Sequence, residues 1–125
     1  SSMAENWTRR ETVISHCKAA FPDVWEDYPF HDSNWTVLRH RGNKKSFALV
    51  YQRKGHIWVN VKCSPEWPDF WRDTYPGVIP GYHMNKEHWN TIILDGTVPP
   101  EDIRTMLAES WRLTAPKRKE KSAEC

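Results

Sequence analysis

The stretch Pro80-Gly81-Tyr82-His83-Met84-Asn85-Lys86-Glu87-His88-Trp89-Asn90-Thr91-Ile92-Ile93-Leu94-Asp95-Gly96 decides the fold. It runs from a Pro/Gly loop through an Asn-Lys pair into a Trp-led apolar strand and stops at an Asp-Gly turn. Asp bonds nearby backbone amides in such a turn and Gly tolerates positive φ, so the strand Trp89 to Leu94 has a built-in end. Val98-Pro99-Pro100-Glu101 then opens a helix, with Pro100 in the first turn and Glu101 and Asp102 suiting its positive end. Ile103, Met106, Leu107, Ser110 and Trp111 line one face of it.

Toward the N-terminus the periodicity changes. Val13, Ile14, Cys17, Ala20 and Phe21 recur at helical spacing, and Thr8-Arg9-Arg10-Glu11 fits a capping box that starts this helix at Thr8. Phe21-Pro22-Asp23 ends it, and Asp23 to Ser33 reads as an acidic connection. Three strands follow as a meander: Trp35 to His40, Ser46 to Gln52 and His56 to Cys63. Arg41-Gly42-Asn43-Lys44-Lys45 and Arg53-Lys54-Gly55 supply turns of hairpin length. In the third strand Ile57, Val59, Val61 and Cys63 share an apolar face, while Trp58, Asn60 and Lys62 form a polar, solvent-side one. Ser64-Pro65-Glu66 starts a second helix, whose inner stripe is Trp67, Phe70, Trp71, Thr74 and Tyr75. A short extended piece at Val78-Ile79 precedes the opening stretch.

The order is α-β(3)-α-β(2)-α. The expected class is α+β: a two-layer sandwich with helices on one face of a mainly antiparallel sheet. The run from Pro80 to Glu101 closely resembles the signature of the MmcQ/YjbR family, small bacterial proteins with a CyaY-like (frataxin-like) fold, and the likeness extends roughly from Thr8 to Leu113. The resemblance implies the same architecture. It also implies the family's usual description, predicted DNA binding through a "double-wing" motif, for which the two basic hairpin turns are the candidate wings.

At 125 residues the chain holds one hydrophobic core, assigned here to residues 6–114. Residues 1–5 read as an expression remnant and N-terminal tail, and 115–125 as a basic, disordered tail. Three cysteines without CxxC spacing argue for reduced thiols and a cytoplasmic protein. No apolar run is long enough for a membrane span. The net charge of +2 hides an asymmetry: between Asp32 and Glu66 there are seven cations and no acid, leaving −5 on the rest.

Those seven are Arg39, Arg41, Lys44, Lys45, Arg53, Lys54 and Lys62, and with Trp58 as a stacking platform they form the nucleic-acid candidate set. Such binding is expected to be weak and salt-dependent. A second candidate set is the signature loop: Tyr82, His83, Asn85, Lys86 and His88, polar side chains gathered where loops on rigid scaffolds commonly carry function. Trp89, Thr91, Asp95 and Gly96 read as structural. No nucleophile, phosphate loop or dinucleotide fingerprint is present, so no catalysis is expected. No metal or cofactor is expected either, because His83 and His88 have no recognised ligand spacing. Eight Trp favour an alternative in which a planar aromatic compound, a peptide or a protein is bound; the family resemblance implies, as a specific form of it, sequestration of a resistance-linked compound. The expected state is a monomer or weak dimer.

Overall fold

The two-residue turn Lys54-Gly55 fixes the register of the sheet. Both residues have positive φ (52° and 83°), the geometry of the type I′ turn that matches strand twist. In the computed structural model, which describes residues 7–28, 34–64, 66, 68–82 and 84–116, this turn joins β3 (Ser46–Arg53) to β4 (His56–Lys62). It pairs Arg53 with His56, Tyr51 with Trp58 and Leu49 with Asn60. The remaining strands are β1 (Val24–Asp27), β2 (Thr36–His40), β5 (Val78–Pro80) and β6 (Trp89–Leu94). All neighbours are antiparallel in the order β1-β2-β3-β4-β6-β5.

The α+β class with one helical layer holds, with one strand more than the sequence suggested. Val24–Asp27, expected as connection, pairs with β2. An acidic tetrapeptide between prolines has no strand signature of its own. The ion pair Arg39–Asp27 (2.7 Å) and the bond from Arg41 N–H to Asp23 O (2.8 Å) hold it in place.

A β-bulge shapes the core. Leu38 pairs with Ala48 and Arg39 with Ser46, so Phe47 is an extra, unpaired residue. Strict alternation would turn Phe47 away from Ala48; the bulge lets both enter the core with no exposed surface. The bulge also disrupts backbone pairing, and Ser110 mends it: its hydroxyl donates to Phe47 O and accepts from Lys62 N–H (2.8 Å).

The helices are α1 (Arg10–Ala20), α2 (Pro68–Thr74) and α3 (Pro100–Thr114). They share one side of the sheet: Lys18 bonds Glu26, Arg72 bonds Asn90, and Ser110 reaches β3 and β4. Val13, Cys17, Ile103, Met106 and Leu107 bury against Val50, Val59, Val61, Ile92 and Leu94. Two helix starts differ from expectation. Helix α1 starts at Arg10, with Arg9 as N-cap and no side-chain cap bond, rather than at Thr8. Helix α2 starts at Pro68, although Glu66 N–H does bond Ser64 Oγ at 3.4 Å. Within the expected inner stripe of α2, Trp71 and Tyr75 pack on the core, whereas Phe70 is half exposed. The side chain of Trp67 lies outside the described residues.

Burial raises the Cys17 thiol to about 12 and that of Cys63 to about 11, so both are small apolar groups rather than thiolates. Among the described residues no helix is long and apolar enough to cross a membrane.

Candidate nucleic-acid interface

Cross-strand partners share a face and faces alternate along each strand, so the register sorts every side chain. Val50, Val59 and Ile92 face the helices. Trp25, Arg39, Leu49, Tyr51, Arg53, Trp58, Asn60, Lys62, Thr91 and Trp89 face the other way. The helix-free face is therefore aromatic and cationic together.

Its centre is closed by hydrogen bonds. Asn60, fully buried, accepts from Tyr51 OH (2.8 Å) and from Thr91 OH (2.6 Å), and its amide donates to Tyr82 O (3.0 Å). Thr91 Oγ1 in turn accepts from Tyr82 N–H (2.8 Å). Burial raises the Tyr51 phenol to about 12, which keeps it a donor. Around this knot the rings gather. Trp35 stacks on Tyr51 at 4.0 Å, and Tyr82 lies 5.9 Å from Tyr51 and 5.7 Å from Trp58. The Arg53 guanidinium sits 4.3 Å from the Tyr82 ring and 4.8 Å from the Trp58 ring, within cation–π range.

This arrangement corrects three expectations. Trp58 faces the predicted side but is buried at 7% exposure, so it is no open stacking platform. Arg53 is held by two rings. Arg39 is paired with Asp27 and also donates to Lys44 O (3.0 Å). Cations counted in a sequence carry no record of their partners; here two of seven are engaged within the fold.

The other turn cations keep their surface position. Arg41, Lys44 and Lys45 are exposed on a turn fixed at several points. Lys44 has φ 63°, Asn43 accepts from Lys45 N–H (3.0 Å), and its amide donates to Thr114 O (3.0 Å) at the end of α3. Lys54 is exposed on the opposite turn. The eight residues of β3 separate the two turns by roughly 26 Å. They cannot share a phosphate. Lys62 joins the first group on the helix-free face, beside Trp89.

The signature loop is mostly scaffold. Asn85 accepts from Glu87 N–H (2.9 Å) and its carbonyl from Trp89 N–H (2.9 Å), closing one turn. Lys86 donates to Gly81 O (3.2 Å), and Arg72 bonds Lys86 O. The His88 backbone ties to Cys63 N–H (2.7 Å). His83 lies outside the described residues. Asp95 Oδ1 accepts from Thr97 N–H (3.1 Å) and Thr97 OH (2.6 Å), and Gly96 has φ 93°, as the turn reading requires. Among the described residues of this set, Tyr82 reaches the aromatic face. Gly81 allows it: a Cβ there would sit 2.8 Å from Trp89 Cβ and 2.9 Å from Trp89 O. Since that oxygen belongs to β6, Gly81→Ala is expected to cost about 2 kcal/mol. Urea denaturation monitored by Trp emission measures it; an unchanged midpoint would mean the loop yields freely.

Tyr51, Asn60 and Trp25 were not in the candidate sets, although the Lys54-Gly55 hairpin already implied that Tyr51 meets Trp58. Apart from the face, a cleft of about 560 Å³ lies between the start of α1 and the Gly55-His56 and Asp95 ends. Its charges are mixed, with Arg9 and Arg10 lining it together with Glu11 and Asp95. Among the described residues no three His, Cys, Asp or Glu groups gather to hold a metal ion.

Known proteins share this architecture. The YjbR family model matches residues 19–113. The uncharacterised Bacillus subtilis protein YyaQ is 37% identical, covering 84% of this chain and 97% of its own. The uncharacterised Escherichia coli protein YjbR is 30% identical over 64% of this chain and 68% of its own. Among solved structures, a Deinococcus radiodurans protein with a DUF419 domain superposes with a TM-score of 0.79 at 30% identity, covering 90% of this chain and 82% of that one. A Pseudomonas syringae protein gives 0.76 at 28% identity, over 85% and 98%. The match to the family model spans the sheet from the end of α1 to the last turn of α3, and on that ground the chain belongs to the YjbR family.

Proposed function

We propose that this protein is a non-catalytic nucleic-acid-binding module that takes an unpaired strand across the helix-free face of its sheet. The observation that supports this reading is the meeting of partly exposed Trp25, Trp35 and Trp89 with Arg53 and Lys62 on that one face. Rings accept stacked bases whatever their sequence, and cations at the margins meet phosphates. Duplex DNA hides its base faces, so the aromatic face favours single strands. Arg41, Lys44 and Lys45 at one end and Lys54 at the other extend the cationic track beyond the sheet.

Fluorescence anisotropy of a labelled 12-mer, single-stranded and as duplex, tests the proposal. The single strand should bind in the micromolar range and more tightly than the duplex. With three or four phosphates neutralised, affinity should fall about 20–50-fold between roughly 50 and 200 mM salt. Neutralising Arg41, Lys44, Lys45, Arg53 and Lys54 together should abolish it. No binding of either form at low salt would sink the reading. The ring cluster also suits a free planar compound, and binding of such a compound that ignores salt would identify that second reading.

A further inference from the structure

Buried polar groups in native folds are almost always paired. The Trp58 Nε1–H is an exception: it is buried and has no hydrogen-bond partner, on a side chain only 7% exposed. Its ring is packed by Tyr51 (6.2 Å between centroids), Tyr82 (5.7 Å, edge-on) and the Arg53 guanidinium (4.8 Å). Tyr82 differs from the others in origin. It comes from the loop after β5, and its backbone is fastened at both ends: its N–H to Thr91 Oγ1 (2.8 Å) and its carbonyl to the Asn60 amide (3.0 Å). The Tyr82 ring is half-buried, and its side-chain torsions are independent of those two backbone bonds.

We infer that Trp58, Arg53 and Tyr82 form a closed slot for one planar heteroaromatic ring, with Tyr82 as its displaceable cover. The incoming ring replaces Tyr82 beneath the Arg53 guanidinium, and its carbonyl or ring-nitrogen acceptor takes the Trp58 Nε1–H. This rests on the single-strand reading, under which the ring is an unpaired base of the bound strand. It adds to that reading a position that senses a base edge, where the rest of the face only stacks. A free nucleoside offers the same chemistry.

The test uses the full chain with a thymidine 12-mer, an abasic 12-mer of equal length, and free thymidine. Trp58→Phe keeps a ring and deletes the donor. It should weaken the thymidine 12-mer about tenfold, leave the abasic 12-mer and the salt slope unchanged, and retain a cooperative unfolding transition. Tyr82→Ala removes the cover and should bind the thymidine 12-mer at least as tightly as the parent chain; a tenfold loss there would make Tyr82 a platform and overturn the cover. Equal affinity of Trp58→Phe and the parent for the thymidine 12-mer would overturn the slot while leaving the face reading intact. If no oligonucleotide binds, the face reading fails, and the slot is judged by the nitrogen-15 indole resonance of Trp58, assigned by its loss in Trp58→Phe. A shift of that resonance with millimolar thymidine supports a nucleoside slot. No shift overturns it.

Discussion

Asn60→Ala should destabilise the fold by about 3 kcal/mol, because it removes three hydrogen bonds at once from a fully buried site, one of them to the Tyr82 carbonyl. The Tyr51 and Thr91 hydroxyls lose their shared acceptor. Tyr51→Phe, which deletes a single donor, should cost only about 1 kcal/mol. Urea denaturation of both variants provides the comparison: the midpoint should fall in that order with an unchanged slope. Equal, small losses would mean that the Asn60 knot is ornamental and that the rings alone hold the face. The consequence extends beyond stability. Asn60 also holds the Tyr82 carbonyl, so its loss should loosen the anchorage of the Tyr82 ring beside Trp58.

Phe47→Ala should cost about 4 kcal/mol, the middle of the range for a fully buried aromatic truncated in a packed core. Phe47 meets Phe21 edge-on at 5.9 Å and His40 at 5.3 Å, and His40 also contacts Trp111 at 5.3 Å. The cavity would open where α1, β2 and α3 converge. His40 is buried and bonded to Thr114 Oγ1 (2.7 Å), and burial holds its imidazole below the ordinary range, so it has no charge to stabilise the void. Phe47→Leu, which fills most of the volume, should recover more than half of the loss. Thermal unfolding of the pair decides the matter: if both variants melt with the parent, the bulge is not a packing device.

The parts of the fold that were legible are those with strong periodicity of their own. Strand β6 lies where the Trp-led run places it, and α3 starts at Pro100 and buries Ile103, Met106, Leu107 and Ser110 as the helical spacing indicates. The three-strand meander follows from its two turns. Strand β1 was illegible because nothing local favours it; Arg39 and Arg41, distant in sequence, hold it in place through Asp27 and the Asp23 carbonyl. The start of α2 was misplaced for the converse reason. Ser64-Pro65-Glu66 has the chemistry of a helix start, and Ser64 does bond the Glu66 amide, yet the helix begins only at Pro68.

The site shows the same division. Alternation gave the correct face for Trp58, but its burial depends on Tyr82 and Arg53, which arrive from other strands and loops. The basic residues could be counted, whereas the pairing of Arg39 and the ring contacts of Arg53 are tertiary facts. Asn60 appeared as a solvent-side polar residue in a strand. Its role as a hub needed Tyr51, Thr91 and Tyr82 to converge on it.

The two outer strands of the sheet have a consequence for crowded solutions. Strand β1 offers four residues and follows Asp23, whose φ of 55° breaks the extended path. Strand β5 offers three and finishes in Pro80, which has no amide proton to donate. Both margins are short and interrupted, which disfavours pairing with a second chain at either side of the sheet. The molecule can therefore carry a broad aromatic surface on its open face with little tendency for that surface to be propagated from copy to copy.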